Sequence, residues 1–235
     1  MKLKEMRQPE LAKKEKINFI LPIGSTEQHG PFAPFGTDTY INDHLIGKIE
    51  KRFPNVVILP TLEYSKSHEH RGFFGTISLS KNTLEKILFD ICHSIYKKAS
   101  IIFISSFHRN YKIINKFVRE KSNSFQPAKI INLEMHSEEN KQKFQKLLDG
   151  PVDRHAGNTE ISSMLVINKN TVRLPSKKDK KTFIADPFGT DNIAEKSKNG
   201  VADNHPNWVV NKKIGKESLE IYFNQMVKNI KKYLK

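Results

Sequence analysis

The chain has almost no cysteine and no long apolar run, and each shortage excludes a class of protein. Its 235 residues include one cysteine, Cys92, so no disulfide can form within the chain. This thiol falls on the apolar stripe of a predicted helix, where a buried, unreactive thiol is usual. No apolar run approaches the roughly 20 residues that cross a bilayer, and residues 1–16 lack the apolar centre of a signal peptide. We therefore expect a cytoplasmic protein without redox chemistry.

Arginine is also scarce, which argues against nucleic-acid binding despite the formal net charge of +15. Only seven of the 40 basic residues are Arg, the side chain best suited to bidentate contacts with phosphates and bases. The lysines are spread over the amino end, the run at 177–181 and the last predicted helix. We expect a solvated basic surface and keep nucleic-acid binding as a weaker alternative.

Four short apolar runs predict buried parallel strands, at residues 17–24, 56–64, 101–107 and 129–135. They are continuous rather than alternating, as is typical of strands covered on both faces. Apolar residues at helical spacing lie between them. This alternation predicts an α/β fold with right-handed crossovers and one domain over residues 1–235, in which residues 1–15 can form a flexible amino-terminal extension.

Histidines and carboxylates follow all four predicted strands. Glu27 and His29 follow the first strand, residues 67–70 the second, His108 the third and His136 the fourth. In a parallel sheet these ends meet at one edge, outside which ligands bind. The pattern therefore predicts a functional site at that edge.

The segment IGSTEQHGPFAPFGTD, residues 23–38, contains the strongest candidates for metal ligands. Glu27 and His29 are two residues apart, so on an extended segment they leave the same face. Asp38 follows a loop, and its two oxygens can bridge two cations. Carboxylate and imidazole together suit Zn, Mn or Fe. The alternative is that Glu27 and Asp38 only cap helices, since Asp38 precedes the helical run that starts at Thr39.

The segment PVDRHAGNTEISSM, residues 151–164, adds Asp153, His155 and Glu160. If a helix begins near Ala156, His155 lies at its start and Glu160 about one turn further along, so that both can face one cleft. Their roles could be proton carrier for His155 and metal ligand or base for Glu160. The alternative is a surface histidine beside an Asp153 helix cap.

Three of these segments resemble the creatininase (creatinine amidohydrolase) family. Residues 24–38 are close to the family pattern GSTEQHGPHLPLGTD, residues 67–79 to S-x-E-H-x-x-F-P-G-T-I-S-L, and residues 153–164 to D-x-H-A-G-x-x-E-T-S-x-M. The resemblance implies a three-layer α/β/α fold with a mainly parallel central sheet, in homo-oligomers that are hexameric or dimer-based. It also implies a metal-dependent hydrolase in which a metal-activated water attacks a non-peptide C–N bond of a small cyclic or linear amide or formamide.

Residue by residue, the resemblance implies one or two divalent metals, of Zn, Mn or Fe. Glu27, His29 and Asp38 would be ligands, with Asp38 bridging. His155 would be a catalytic proton carrier, and Glu160 a metal ligand or a catalytic acid or base.

The third strand end departs from the family pattern. Where the family has N-G-H-G-G-N, this chain has SSFHRN at 105–110, so that Phe107 aligns with the ligand histidine and His108 falls one residue later. On an extended segment that shift turns the side chain to the opposite face. Either the loop is rebuilt and His108 binds metal, or one metal remains on the first loop, or the protein binds a ligand or partner without turnover. His136 or Glu134 could supply a missing ligand.

The remaining candidates concern the substrate. Replacement of the family's His, Leu and Leu by Phe32, Ala33 and Phe35 predicts a more aromatic pocket mouth. Arg109 could recognise a carboxylate or phosphate on the substrate. The other candidates for substrate contacts, or for support of the ligands, are Ser67, Glu69, His70 and Asp153.

Overall fold

A parallel sheet of four strands forms the centre of the molecule. The computed structural model describes residues 1–108, 110–185, 187 and 192–234. Within them the strands pair in the order β2-β1-β3-β4, and all three pairings are parallel. The strands are β1 Ile17–Ile23, β2 Val56–Ile58, β3 Ala99–Ser106 and β4 Lys129–Asn132.

Helices connect the strands and cover the sheet. In chain order they are α1 Gln8–Ala12, α2 Thr37–Arg52, α3 Lys81–Ile95, α4 Tyr111–Lys121, α5 Glu138–Leu148, α6 Asn158–Ile167 and α7 Lys212–Tyr233. Among the described residues, no helix combines the length and apolar character that a membrane crossing requires.

The two faces of the sheet pack against different helices. Ile20 and Phe103 point to one face, where they join apolar residues of α2, α5, α6 and α7. Phe19 and Ile102, next to them in the chain, point to the other face and join α3 and α4. Because successive strand residues alternate in direction, one apolar run serves both cores. The predicted three-layer α/β/α fold is confirmed.

The second and fourth strands are shorter than the predictions of 56–64 and 129–135. β2 ends at Ile58, two residues before Pro60, which has no backbone N–H to give to the sheet. β4 is an edge strand that ends at Asn132, after which Leu133 N makes one further hydrogen bond, to Ile104 O at 2.8 Å. The polar residues that follow both strands are therefore on loops.

The helix expected to begin near Ala156 begins at Asn158. Ala156 has φ of +53°, in the left-handed region, and His155 pairs with Ala202 in an antiparallel bridge. These two residues therefore precede α6 and do not belong to it.

The first residues of the chain contact the sheet. Ile58 N donates to Met1 O at 2.7 Å, and Lys2 bridges to the same strand. Leu3 and Leu11 pack against the core beside α3. The division of the chain into one domain with an extension remains a prediction.

Candidate metal centre

The loop after β1 places three of the predicted ligands in the interior. Glu27, His29 and Asp38 are only 1%, 1% and 2% exposed. Asp38 lies within the first turn of α2, whose N-cap is Gly36, and its carboxylate accepts a hydrogen bond from Ser25 Oγ. The alternative that Asp38 is merely a helix cap is therefore wrong.

His29 is held with one nitrogen directed at two carboxylates. Its Nδ1 lies 3.1 Å from the backbone oxygen of Glu27, which can only accept, so Nδ1 carries the proton. The Nε2 lone pair then faces Asp38 Oδ1 at 3.7 Å and Glu160 Oε2 at 3.8 Å. Fixing one imidazole nitrogen by a backbone carbonyl, so that the other is free to bind, is the usual arrangement of a metal-binding histidine.

His108 has the same arrangement, although its loop differs from the family pattern. Its Nε2 lies 2.9 Å from Lys66 O and donates to it, which leaves the Nδ1 lone pair 3.1 Å from Glu27 Oε2 and 3.4 Å from Asp38 Oδ2. Phe107 instead packs in the core, edge-on to Tyr222 with ring centroids 5.1 Å apart. The loop is rebuilt, so that the residue after Phe107 reaches the carboxylates.

Ligand atoms of these residues cluster as a metal site requires. Two groups have their ligand atoms within 4.8 Å of one another and share Asp38: Glu27, Asp38 and His108 form one, and His29, Asp38 and Glu160 the other. We call these five residues the candidate metal centre. Glu27, His29 and His155 form a third such group.

Buried polar atoms without hydrogen bonds provide a test of whether a metal fits. Glu27 Oε2 and His29 Nε2 are both buried and make no hydrogen bond among the described residues. Such atoms are costly in a folded protein unless a ligand occupies them. Three carboxylates with two imidazoles form a donor set suited to Zn or Mn, so the residues present fit a divalent metal.

The pKa values indicate how much positive charge the candidate metal centre requires. Burial lowers the pKa of His29, but the facing Asp38 carboxylate outweighs it and raises the pKa to about 9. His108 behaves likewise: burial is outweighed by attraction to Glu27, which raises its pKa well above the usual value. Burial raises the pKa of Glu160 to about 8. Without a cation the cluster therefore retains protons, the charge that a divalent metal would replace.

Gln28, between two predicted ligands, organises the residues behind them, and the sequence analysis missed it. Its Oε1 accepts from Gly30 N at 2.8 Å, which fixes the orientation of the amide. Its Nε2 donates to Gly200 O at 3.0 Å and to His70 Nδ1 at 2.9 Å. His70 must then carry its proton on Nε2, 3.4 Å from Glu27 Oε1. The sequence STEQHG contains a sign of this role. On an extended segment the side chain of Gln28 leaves on the face opposite to that of Glu27 and His29.

His155 is buried at 1% exposure, so the alternative of a surface histidine is wrong. Its Nε2 lies 2.8 Å from the backbone oxygen of Gln28, to which it can donate, and 2.9 Å from the Gln28 amide nitrogen, while its Nδ1 lies 3.7 Å from Glu27 Oε1. Burial, assisted by the neighbouring His70, lowers the pKa of His155 well below its usual value. The imidazole is neutral and can accept a proton at Nδ1.

Asp153 holds the start of α6. Its carboxylate accepts from Thr159 N at 2.6 Å and from Thr159 Oγ1 at 3.0 Å. Burial, together with repulsion from Asp203, raises its pKa to about 6. Asp153 also lines the cavity, so its predicted substrate contact remains a prediction.

A cavity of about 560 Å³ opens onto the candidate metal centre. Glu27, Asp38, His108, His155 and Glu160 lie in its wall. The segment between β4 and α5, α5 itself and residues 151–154 form much of the remaining wall, to which Phe107, Tyr111, Thr159, Asn204 and Tyr222 also contribute. The fourth strand end therefore contributes more of the wall than the sequence predicted.

The expected aromatic mouth is not formed by the first loop. Phe32 is 1% exposed and packs edge-on against Trp208, with ring centroids 5.0 Å apart. Phe35 is 42% exposed and lies beside Gly75, where an added Cβ would meet its ring. Neither phenylalanine lines the described part of the cavity wall, so that prediction is wrong.

The residues after β2 that were predicted to contact the substrate are buried and lie outside the described cavity wall. Ser67 and Glu69 are buried, and Glu69 pairs with Lys66. Among the described residues none of Ser67, Glu69 and His70 lines the cavity. Arg109 lies outside the described residues, and its predicted role stays a prediction.

His136 and Glu134 line the cavity, but neither belongs to a ligand group that the described residues form. Their proposed use as replacement ligands is unnecessary, since His108 already reaches Glu27 and Asp38.

Comparison with known proteins agrees with this geometry. The family model described as creatininase, creatinine amidohydrolase, matches residues 4–230. The mycofactocin precursor peptide peptidase of Mycolicibacterium smegmatis is 30% identical over 159 residues, which are 65% of this chain and 59% of that protein. The chain therefore matches less than two thirds of the length of this curated relative.

Two solved structures share the fold. A creatininase variant complexed with creatine superposes with a TM-score of 0.79 at 20% identity, covering 98% of this chain and 97% of the other. A variant of the zinc–zinc type gives a TM-score of 0.74 at 20% identity, with the same coverage of both chains.

Proposed function

The chain belongs to the creatininase family, and from that premise we propose that it is a metal-dependent amidohydrolase that hydrolyses the C–N bond of an amide. Glu27, Asp38 and His108 would hold one divalent cation, and His29, Asp38 and Glu160 a second, with Asp38 shared. Zinc is the first candidate because the donors suit it and a creatininase of this fold is known in a zinc–zinc form. Manganese and iron suit the same donors.

One observation carries the proposal. Two imidazoles from different strand ends each donate one N–H to a backbone carbonyl and direct the second ring nitrogen at the same set of buried carboxylates. In the metal-free protein that second nitrogen holds a proton, because the carboxylates raise the pKa of both histidines. Only a cation between them, or an added proton, makes the arrangement favourable.

Bound cations would supply an activated water and stabilise negative charge on the amide oxygen. The chain's own residues position that chemistry. Ser25 donates to the Asp38 carboxylate, and Ala156 N donates to Glu160 Oε2 at 2.7 Å, so both carboxylates are oriented before a substrate enters. Preorganised ligands of this kind need little rearrangement during the reaction.

His155 is the proposed proton carrier. Gln28 O holds its Nε2–H, and Nδ1 remains open beside Glu27. A neutral imidazole in this position can accept a proton from the attacking water and return it to the leaving nitrogen. These two proton transfers require one residue that reaches both the attacking water and the leaving nitrogen. His155 lies in the cavity wall, where it can contact both.

The proposal assigns the substrate to a chemical class, the amides. The substrate expected from the sequence, a small cyclic or linear amide or formamide, fits a cavity of about 560 Å³. A peptide bond near a chain end is the second candidate, because the relative from M. smegmatis is named a peptidase.

The alternative of a ligand-binding protein without turnover loses its main support, since His108 lies beside Glu27 and Asp38. Cytoplasmic location and homo-oligomers remain predictions.

Metal content tests the proposal most directly. Elemental analysis of protein purified without a metal-affinity tag should find about two divalent metals per chain. His108→Ala should lose one of them, and His93→Ala, which removes an exposed histidine of α3, should lose none. Metal content that is unaffected by His108→Ala would contradict the assignment.

A further inference from the structure

Arg154 lies in the cavity wall, one residue before His155. Its side chain is partly buried, and its Nε is fully buried and makes no hydrogen bond among the described residues. A guanidinium is permanently charged and offers five donors. Leaving such a donor buried without an acceptor costs free energy, which an incoming acceptor would recover.

Arg7, Arg119 and Arg173 have carboxylate partners, whereas Arg52 and Arg71 form no ion pair with a carboxylate among the described residues. Arg173 lies 2.9 Å from Asp179, and Arg119 lies 3.3 Å from Glu120. Among the ion pairs of the described residues, Arg154 has no such partner. Its neighbour Asp153 is instead engaged by Thr159. The guanidinium is therefore available to a molecule in the cavity.

The surrounding wall favours an anion at Arg154. Glu138, which also lines the cavity, is paired with Lys141 at 3.1 Å. The first turn of α5 lies in the same wall, and the amino end of a helix of 11 residues carries partial positive charge. The lysine and arginine side chains of the described cavity wall are Lys141, which is paired with Glu138, and Arg154, so an anion that enters would bind at Arg154.

We propose that Arg154 recognises a carboxylate carried by the amide substrate. This rests on the proposed function: the scissile amide lies at the candidate metal centre while a carboxylate elsewhere in the same molecule docks on the guanidinium. The planar guanidinium matches a carboxylate through two parallel hydrogen bonds. N-acylated amino acids and the carboxyl ends of peptides are substrates of this class.

Matched pairs of probes test this directly. The panel contains N-formyl and N-acetyl amino acids, and for each of them the neutral compound with an amidated carboxyl group. Hydrolysis is measured on the metal-loaded protein, and calorimetric binding is measured for pairs that are not hydrolysed. The variants are Arg154→Ala and Arg154→Lys, with Arg119→Ala as the control that removes the same charge from the exposed face of α4.

We expect the acids to bind better than the amidated compounds. Arg154→Ala should raise KM or Kd for the acids by about 10- to 100-fold, as for a hydrogen bond to a charged group, and leave the neutral compounds unchanged. Arg154→Lys should retain part of the preference, and Arg119→Ala all of it.

Two results would overturn the proposal: equal binding of acids and amidated compounds to the wild-type protein, or equal losses for both in Arg154→Ala. Metal content distinguishes this failure from failure of the proposed function. A protein without metal that still prefers acids in calorimetry would contradict the amidohydrolase assignment and retain Arg154, whereas a two-metal hydrolase indifferent to the carboxylate would do the reverse.

Discussion

The carboxyl ends of β1 and β3 each place one imidazole at the candidate metal centre, but they hold it differently. His29 donates to Glu27 O, two residues away, and its neighbour Gln28 adds further hydrogen bonds. His108 donates to Lys66 O, 42 residues away, on the loop after β2. The first loop orders its own histidine, and the second depends on a neighbouring loop.

This difference explains why one loop resembles the family motif and the other does not. A histidine anchored within its own segment requires a fixed spacing, as in STEQHG. A histidine anchored by a distant carbonyl requires only that some residue of the loop reaches it. The backbone oxygen of His108 accepts from Ser106 Oγ at 2.8 Å and from Asn110 N at 2.7 Å. These contacts hold the backbone of His108 in its shifted position.

Asp38→Asn should have the largest effect, because this carboxylate faces both imidazoles. We expect loss of metal from both positions and a fall in amide hydrolysis of more than about 100-fold, since even changes to residues behind metal ligands cost about 10- to 100-fold. Elemental analysis and kcat/KM provide the measurement.

Asp43→Asn is the matched control, because Asp43 is exposed on the same helix and accepts from Thr61 Oγ1. It should keep its metal and its activity. If Asp38→Asn bound two metals with unchanged affinity, Asp38 would not be shared between the two histidines.

The pH dependence of stability should be the next largest effect, and it reports the protons that His29 and Glu160 hold in the metal-free protein. The pKa of His29 is raised from 6.5 to about 9, so the folded state holds this proton more tightly than the unfolded state does. Its contribution is complete below pH 6.5 and is lost as the pH rises to about 9, a change on the order of 3 kcal/mol in the free energy of unfolding.

Glu160 should change stability in the same direction below pH 8, because burial raises its pKa to about 8 and the folded state again binds the extra proton. Urea unfolding in the presence of a chelator, from pH 6.5 to 9, should show declining stability, and His29→Ala should show a smaller decline. The removal of exposed His93 should change nothing. An identical slope in His29→Ala would show that His29 holds no extra proton.

Gln28→Met should have the smallest effect on metal binding. It tests the hydrogen bonds that the loop after β1 makes through its own Gln28. The variant keeps the backbone oxygen that holds His155 but removes the donor to His70 and the acceptor for Gly30 N. We expect metal content to remain near two, while kcat/KM falls by about 10-fold or more because Glu27 loses its oriented neighbour.

The pH profile of kcat/KM gives a second readout for Gln28, since a His70 ring without this contact can change its tautomer and direct a lone pair instead of an N–H at Glu27. Gln142→Met, at an exposed position of α5, is the matched control. A Gln28→Met protein that loses both metals would instead show that Gln28 is required to form the centre itself.

Much of the fold followed from the apolar pattern. Continuous runs of Ile, Val and Phe predicted β1 and β3 within two residues at each end, because a strand buried on both faces has no polar positions. Strand ends at Ile58 and Asn132 were less predictable, since the apolar residues beyond them enter the core from loops. Leu133 and Met135 are buried without belonging to β4.

Ligand types and their positions along the chain were determined by the sequence itself. Glu27, His29, Asp38, His155 and Glu160 lie in segments with family-like spacing, and parallel strand order alone predicts that such segments meet at one edge. Tertiary structure alone decided three further points: that His108 rather than Phe107 reaches the carboxylates, which nitrogen each imidazole presents, and that Arg154 faces the cavity. The physical reason is that each depends on a contact between segments distant in the chain, such as Lys66 O with His108, and local sequence does not encode such contacts.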